Sequence, residues 1–461
     1  MHKFLFPLFL TIAVFTVSAQ QPVRITPNAE GQYSVIAFMA DFQVDKDTLT
    51  FGNGKFNLTS RDTGFAGSYP HDESYFSKHL DFLENYWEGV SKGKMNLSTY
   101  LVPVKVTLPH VMEYYSTYKQ STDTVYAKFI SDFIAAANSQ IPNLNSEIAS
   151  HFISPEKTHF IVFHAGLGHD IDWSSIYSFD PTPKDISSLY LSSEFIKRNL
   201  DAIPNLTGNT KLTHLSILPE TLTRPYEAFG SKSYLNFGIS GLMVANFGNF
   251  LGLPDLYNTQ NGHSTTGRFG LMDGYGFFNY NGFIPSPPSI WEKYQLGWIK
   301  PLVLDYNSPS SQISIKSDVD SPDFDSTAVF VYLGSNRYYL LENKLRENPT
   351  NKKGVTISCF DNNSSQSKFY SEDKNGFYQY DLSEIKGVIT GLTNYNWVVP
   401  AGINSSNDTI QGGIVIWRLD DQVVIDKKAS GKLNELNSDA RKPALRIMEA
   451  DGSVDIGEVY G

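Results

Sequence analysis

The segment GLMVANFGNFLGLPDLYNT, residues 241–259, constrains the fold of this chain more than any other stretch. Its apolar residues predict a helix, and a turn is expected where the helix meets Gly252. Side chains four positions apart lie on one face of a helix, so Ala245 and Asn249 should face the same way. Asp255 follows the turn, and we expect its carboxylate to return toward that face.

This segment has the helix and turn of a catalytic zinc site, but it lacks the metal-binding and proton-accepting side chains. In the H-E-x-x-H pattern two imidazoles bind the metal, and the glutamate between them takes a proton from the metal-bound water. In one version a glycine and then a third ligand follow the second histidine. Here Ala245, Asn246 and Asn249 stand in place of the two histidines and the glutamate, and only Asp255 offers a carboxylate. We therefore expect no catalytic residue, no bound zinc and no activated water.

Two further residues match the scaffold of such a site. The bend GRFGLMDGYG carries Met272 between glycines, as in the Met-turn that lies below the zinc of these enzymes. We expect structural roles for Met272 and Gly252, in the core beneath the helix and in the turn after it.

Several longer segments extend the match well beyond one motif. They are GLPDLY after the helix, FGLMDGYG at the bend, WEKYQLGWIKP at residues 291–301, YYLLENK from residue 338, GGIVIWRLD from residue 412 and EADGSVDIG from residue 449. With them the chain resembles the immune inhibitor A family of secreted zinc metallopeptidases, which is metzincin-like. The resemblance implies that the family's zinc ligands fall on Ala245, Asn249 and Asp255, and its general base on Asn246. The chain would then be a degenerate member.

Two other interpretations of the helix stay open. A zinc site could be rebuilt from His164 and His169 in FHAGLGHD, or from His263 in the following polar loop. A structural role suits His164 better, because it ends a buried-strand pattern. The segment could also be an ordinary core helix, but Asn246 and Asn249 argue against this, since unpaired amides are costly to bury among apolar groups.

The remaining patterns divide the chain into two regions. Strands are predicted at residues 33–42 and 160–164, and helices at residues 76–87, closing at Gly89, and at residues 123–136. After Leu302 the pattern changes to short strands separated by polar clusters. We expect an α+β chain, with a metzincin-like metallopeptidase domain at residues 20–301 and a β-rich, sandwich-type domain at residues 302–461.

Residues 1–19 predict a secretory signal peptide, because a basic start precedes an apolar run that ends in Val17-Ser18-Ala19. That run is shorter than the roughly 20 residues of a membrane span, so we expect no span and a secreted protein, extracellular or periplasmic.

The net charge of −11 argues against nucleic acid as a partner. Cys359 is the only cysteine, so no intrachain disulfide can form.

One functional hypothesis and two alternatives follow. The main hypothesis is a secreted pseudoenzyme that binds a polypeptide by adding it to an edge strand of its vestigial cleft. One alternative is an active metallopeptidase with substitute zinc ligands. The other is an adhesive or carbohydrate-binding protein that uses Tyr338, Tyr339 and Trp417 of the β-rich region, although ordinary strand positions explain these residues better.

The stretch DVDSPDFD from Asp318 offers oxygen ligands for calcium, without the spacing of a known calcium loop.

Overall fold

The apolar run predicted as a strand at residues 33–42 lies, up to Asp41, in the first strand of the central sheet, which is buried from Tyr33 onward. The predicted signal peptide at residues 1–19 lies outside the described residues. The computed structural model describes residues 20–56, 70–171, 173–174, 178–228, 230–309, 312–346, 355–361, 364–370, 387–399, 402–403, 406, 409–410, 412–450 and 452–456.

Most strands of the N-terminal region belong to one sheet. Its main path has the order β2-β1-β4-β8-β5, with β3 also paired to β1. Strands β2, β1, β4 and β8 are parallel, whereas the edge strand β5 is antiparallel to β8. The described strands of this region are β1 (Gly31–Asp41), β2 (Met95–Leu101), β3 (Val106–Thr107), β4 (Thr158–Leu167), β5 (Leu189–Leu191), β6 (Asn205–Thr207), β7 (Thr210–Lys211), β8 (Leu215–Thr221), β9 (Arg224–Ala228) and β10 (Ser231–Leu235).

Helices make the crossovers that parallel strands require. None of the described helices combines the length and the apolar character that crossing a bilayer requires. The described α-helices are α1 (Glu73–Ser91), α2 (Thr122–Gln140), α3 (Leu144–Ala149), α4 (Ser193–Asn199), α5 (Ser240–Phe250), α6 (Gly274–Phe277), α7 (Ile290–Gln295) and α8 (Asp421–Ala429).

The sequence of β1 is a nearly continuous run of apolar residues because other elements cover both faces of the strand. One face packs with α1 and α5, and the other packs with α2 and α3. Alternate side chains of β1 enter the two hydrophobic clusters, with Val35, Ala37 and Met39 on the first side and Ile36, Phe38 and Ala40 on the second. The central strand predicted at residues 160–164 is confirmed as β4, which is longer and buried along its whole length.

The helix predicted at residues 76–87 is confirmed as α1, but it does not close at Gly89. It runs through Ser91, and Lys92 ends it in the left-handed conformation with φ 55°. Gly89 instead lets the helix approach an aromatic ring, because a Cβ there would lie 2.9 Å from Cε2 of Tyr395. The helix predicted at residues 123–136 is likewise confirmed and is longer, as α2.

The region after residue 301 contains a five-stranded sheet of order β11-β12-β13-β19-β20 and a three-stranded antiparallel sheet of order β15-β14-β16. The chain thus has mixed α and β structure, compatible with the predicted α+β class. The described strands here are β11 (Leu302–Asp305), β12 (Ala328–Gly334), β13 (Arg337–Leu345), β14 (Val355–Asp361), β15 (Ser364–Tyr370), β16 (Val388–Leu392), β17 (Gly402–Ile403), β18 (Thr409–Ile410), β19 (Gly412–Asp420) and β20 (Leu445–Ile447).

Apolar packing continues across residue 302. Tyr294 of α7 meets Phe330 of β12 edge to face, with ring centroids 5.1 Å apart. The Asn85 amide of α1 donates to the carbonyl of Thr390 in β16 at 2.7 Å. One hydrophobic cluster therefore joins both regions, and the division at residue 302 stays a prediction from the sequence.

Candidate functional site

A cleft of about 820 Å³ lies between the edge strand β5 and helix α5. A volume of this size is typical of ligand sites. The strand side contributes Ser188, Leu189 and Tyr190, and the helix side contributes Ala245, Asn246 and Asn249. Other lining residues are Asp170, Asp255, Tyr257, His263 and Phe277.

The cleft residues of α5 are the ones at which a zinc helix would carry its ligands and base. Ala245 and Asn246 are only 5% and 9% exposed, so the helix is set deep in the cleft wall. Elsewhere on the helix, two glycines allow close packing. A Cβ on Gly248 would lie 2.7 Å from Sδ of Met272, and one on Gly241 would overlap the carbonyl oxygen of Phe277.

Helix α5 ends in a turn at Gly252, where the sequence predicts one. Gly252 has φ +95°, a conformation that favours glycine. Its N–H donates to the carbonyl of Asn249 at 2.9 Å, and the N–H of Leu253 donates to the carbonyl of Gly248 at 3.0 Å. These two bonds form a Schellman motif, which satisfies helix carbonyls and turns the chain. Asp255 then reaches the cleft.

The Asn249 amide holds Asp255 in the cleft. Its Nδ2 donates to Oδ1 of Asp255 at 3.2 Å and to the carbonyl of Leu253 at 3.0 Å. Burial raises the pKa of Asp255 to about 6, and the hydrogen bond from Asn249 acts in the opposite direction. Asn246 takes no part in this arrangement, and its buried Nδ2 has no hydrogen-bond partner among the described residues. The two amides therefore have different surroundings in the cleft.

The bend around Met272 is held by a buried carboxylate that the sequence analysis did not identify. Glu292 of α7 accepts from the backbone N–H of Met272 at 2.7 Å and of Leu271 at 3.2 Å. It also accepts from the backbone N–H of Ser289, which completes a capping box at the start of α7. The carbonyl of Met272 in turn accepts from the N–H of Leu256 at 2.8 Å, so the bend and the segment after Gly252 are joined.

The residues at the zinc positions do not fit a zinc ion. Ala245 has no donor atom, and Asn249 directs the hydrogens of its Nδ2 at the remaining carboxylate. A catalytic zinc needs imidazole, thiolate or carboxylate groups that converge on one point. Among the described residues, no group of three or more His, Cys, Asp or Glu side chains is arranged to hold a metal ion.

The histidines proposed as substitute ligands have other surroundings. His164 lies fully buried inside β4, which continues to Leu167, and its Nδ1 lies 3.1 Å from the carbonyl of Ala165. His169 pairs with Asp180, with Nε2 and Oδ2 2.7 Å apart. His263 lines the cleft from an exposed loop. Within the described part of the chain, these three histidines belong to no group of His, Cys, Asp or Glu side chains that could hold a metal ion.

Asp170 is a cleft residue that the sequence analysis missed. It follows the Gly-rich turn after β4, and its carboxylate accepts from the backbone N–H of Ser188 at 2.8 Å and from the Ser188 hydroxyl at 2.9 Å. Burial raises the pKa of Asp170 to about 6, while the bonds from Ser188 and the charge of His169 lower it. The sequence signal was available, because a polar residue directly after a central parallel strand is a frequent site residue.

The acidic stretch from Asp318 is used for ion pairing. Lys293 pairs with Oδ2 of Asp318, and the Asn396 amide donates to Oδ1 at 2.7 Å. Burial by itself would raise the pKa of Asp318, but the ammonium groups of Lys293, Lys344 and Lys92 lower it. Both carboxylate oxygens therefore have protein partners, which gives the calcium hypothesis no support at this residue.

The aromatic surface proposed for the β-rich region is wrong for two of its three residues. Tyr338 and Trp417 are fully buried, and the Trp417 indole N–H donates to Glu342 at 2.9 Å. Only Tyr339 is partly accessible. The alternating burial along β13 explains the difference between Tyr338 and Tyr339, since successive side chains of a strand point to opposite faces.

Neither the comparison with protein-family models nor the comparison with curated proteins finds a match for this chain.

Proposed function

We propose that this chain is a secreted, inactive homologue of immune inhibitor A-type zinc metallopeptidases, which binds an extended polypeptide in its cleft without cutting it. In this proposal the N-terminal region is metzincin-like and the C-terminal region is of sandwich type. The observation that carries the proposal is the pairing of Asn249 with Asp255. An amide donor occupies the position of a zinc ligand and is bonded to the carboxylate that would be the last ligand.

Polypeptide binding is supported by the edge strand of the cleft. Within the described residues β5 pairs on one side with β8 and has no strand on its other side. Leu189 and Tyr190 of this strand line the cleft. An unpaired strand edge beside a groove is suited to adding a peptide strand through main-chain hydrogen bonds, with side-chain pockets alternating along the peptide.

The absence of cleavage is supported by the chemistry of the helix residues. A bound water in a zinc site becomes a nucleophile because the metal lowers its pKa, and a neighbouring carboxylate accepts its proton. Ala245 and Asn246 supply neither a ligand nor a base. The scaffold that surrounds them, including Gly252 and Met272, would serve binding alone.

The experiment is a selection of random-sequence displayed peptides on the immobilised protein lacking residues 1–19. The most enriched peptide is synthesised with a fluorescent label, and its binding is measured by anisotropy. Two matched versions are N-methylated on alternate residues, one in each of the two possible registers. Strand addition predicts that one register loses binding and the other keeps it, because only alternate residues face the partner strand.

Either of two results would contradict the proposal. If no selected peptide binds at a practical concentration, polypeptide binding is wrong. If the protein cleaves the peptide in the presence of zinc and a chelator abolishes this cleavage, the chain is an active peptidase, and its zinc ligands lie elsewhere.

A further inference from the structure

Two acidic side chains face the same cleft and have no lysine or arginine partner within the described part of the chain. Asp170 comes from the turn after β4 and Asp255 from the turn after α5, and both line the cleft wall. Among the described residues neither forms an ion pair with a lysine or arginine. Burial raises the pKa of both carboxylates, which reflects poorly solvated charge.

Tyr257 shows that the two carboxylates act on a common space. Its side chain also lines the cleft. Burial raises the pKa of Tyr257, and the charges of Asp255 and Asp170 raise it further. One phenol group is therefore within electrostatic reach of both acids, at the wall of a single cleft.

A separate observation indicates that this space takes a ligand. Asn246 is 9% exposed and lines the same cleft as these two acids. Its Nδ2 is buried and has no hydrogen-bond partner among the described residues. A buried polar group without a partner is unfavourable, and because Nδ2 itself is closed to solvent, rotation of the amide about its broad terminal torsion would bring this donor to a ligand carbonyl in the cleft.

We propose that the polypeptide bound in this cleft presents a lysine or arginine side chain to Asp170 and Asp255, while the Asn246 amide donates to one of its main-chain carbonyl groups. This inference rests on the proposed function and names its ligand class. The cationic group would lie beside the face of α5 on which a zinc helix carries its metal ion, but its charge comes from the ligand.

The lining of the cleft suits such a side chain over its whole length. Leu242 and Phe277 offer apolar surface to the methylene groups, and Tyr257 offers an aromatic ring near the acids. Long basic side chains bury their stems on apolar surface and keep their charged ends on polar groups. The net charge of −11 also favours the approach of basic polypeptides at low salt.

The test uses peptides from the selection described above. We expect a basic residue to be enriched at one fixed position. The strongest peptide is compared with a version that carries norleucine there, which keeps the stem and removes the charge. The norleucine peptide should bind the unmodified protein about tenfold more weakly, because a charge-assisted hydrogen bond to a poorly solvated carboxylate is lost.

Protein variants locate this preference. With Asp255→Asn or Asp170→Asn the difference between the two peptides should shrink to about twofold, as in a double-mutant cycle. With Asn246→Ala both peptides should weaken by the same factor, because Asn246 contacts the main chain. Asp320→Asn is the matched control, since it removes the same charge from an exposed loop position.

Each contrary result has a distinct meaning. If peptides bind but no basic residue is enriched, or if the preference for lysine is unchanged in both aspartate variants, this inference is wrong and strand addition is untouched. If no peptide binds, the proposed function and this inference both fail.

Discussion

The wall of the cleft and the core beneath it differ sharply in what their residues must do. On the wall, Ala245, Asn246 and Asn249 line the cleft, and small neutral side chains are accommodated there. Beneath it, Gly248 touches Met272, and the carboxylate of Glu292 binds the backbone of the same bend. Close packing constrains the residues of the core whatever side chains line the cleft, so the two regions can vary independently.

The largest expected effect comes from introducing the residues of a zinc helix on the wall. The triple variant Ala245→His, Asn246→Glu, Asn249→His should bind about one zinc ion per chain, because it adds two imidazoles to the carboxylate of Asp255. Plasma mass spectrometry of the purified variant and of the unmodified protein measures this directly. Stoichiometric zinc in the unmodified protein would show that the ligands lie elsewhere, and absence of zinc from the variant would show that the scaffold is not competent.

The next effect concerns the close contact between Gly241 of α5 and the backbone of Phe277 in α6. Gly241→Ala should lower the free energy of unfolding by about 3 kcal/mol, because the added Cβ overlaps the backbone carbonyl of Phe277, which cannot move aside as a side chain can. Urea denaturation followed by circular dichroism gives the value. The control is Gly274→Ala on the cleft wall, where an added Cβ meets nothing within 4 Å, so we expect a loss of less than about 0.5 kcal/mol. Equal losses in the two variants would remove the contrast between wall and core.

A smaller effect is expected at the carboxylate that binds the bend. Glu292→Gln should lower the free energy of unfolding by about 2 kcal/mol, since an amide replaces a carboxylate that accepts from three backbone N–H groups. Thermal denaturation is the measurement, and Glu227→Gln at an exposed strand position is the matched control. An unchanged melting temperature would mean that the bend does not depend on this residue.

The most gradual effect is a pH dependence of the unfolding free energy, which arises in the core beside α5 and is smallest when measured per pH unit. His79 is buried and its Nδ1 lies 3.2 Å from the Ser240 hydroxyl at the start of α5. Burial lowers the pKa of His79 to about 3, with a further contribution from the charge of His71. The unfolded chain has a pKa near 6.5 at this residue, so between these values it binds a proton that the folded chain does not.

Stability from His79 should therefore be fully present above about pH 6.5 and be lost as the pH falls toward 3, by about 1.4 kcal/mol per unit. Urea denaturation at a series of pH values should show a shallower slope for His79→Gln than for the unmodified protein. Parallel curves for the two proteins would contradict the assignment.

The sequence predicted the local parts of this architecture. The strand β1, the helices α1 and α2 and the central strand β4 follow from apolar periodicity, which depends only on neighbouring residues. The turn at Gly252 is equally local, and so is the identity of the α5 residues that line the cleft. For these helices and strands the errors concern only their ends, as at Gly89, where a long-range contact with Tyr395 explains the glycine better than helix termination does.

What the sequence determined by itself is which groups are available in the helix, and an alanine and two asparagines cannot supply the donors of a zinc site in any fold. The tertiary structure decided what surrounds them. It brought the edge strand β5 alongside α5, set Asp170 in the same cleft as Asp255, and fixed the bend at Met272 with Glu292. These contacts join residues far apart in the chain, and they depend on strand order and close packing, which a one-dimensional pattern does not specify.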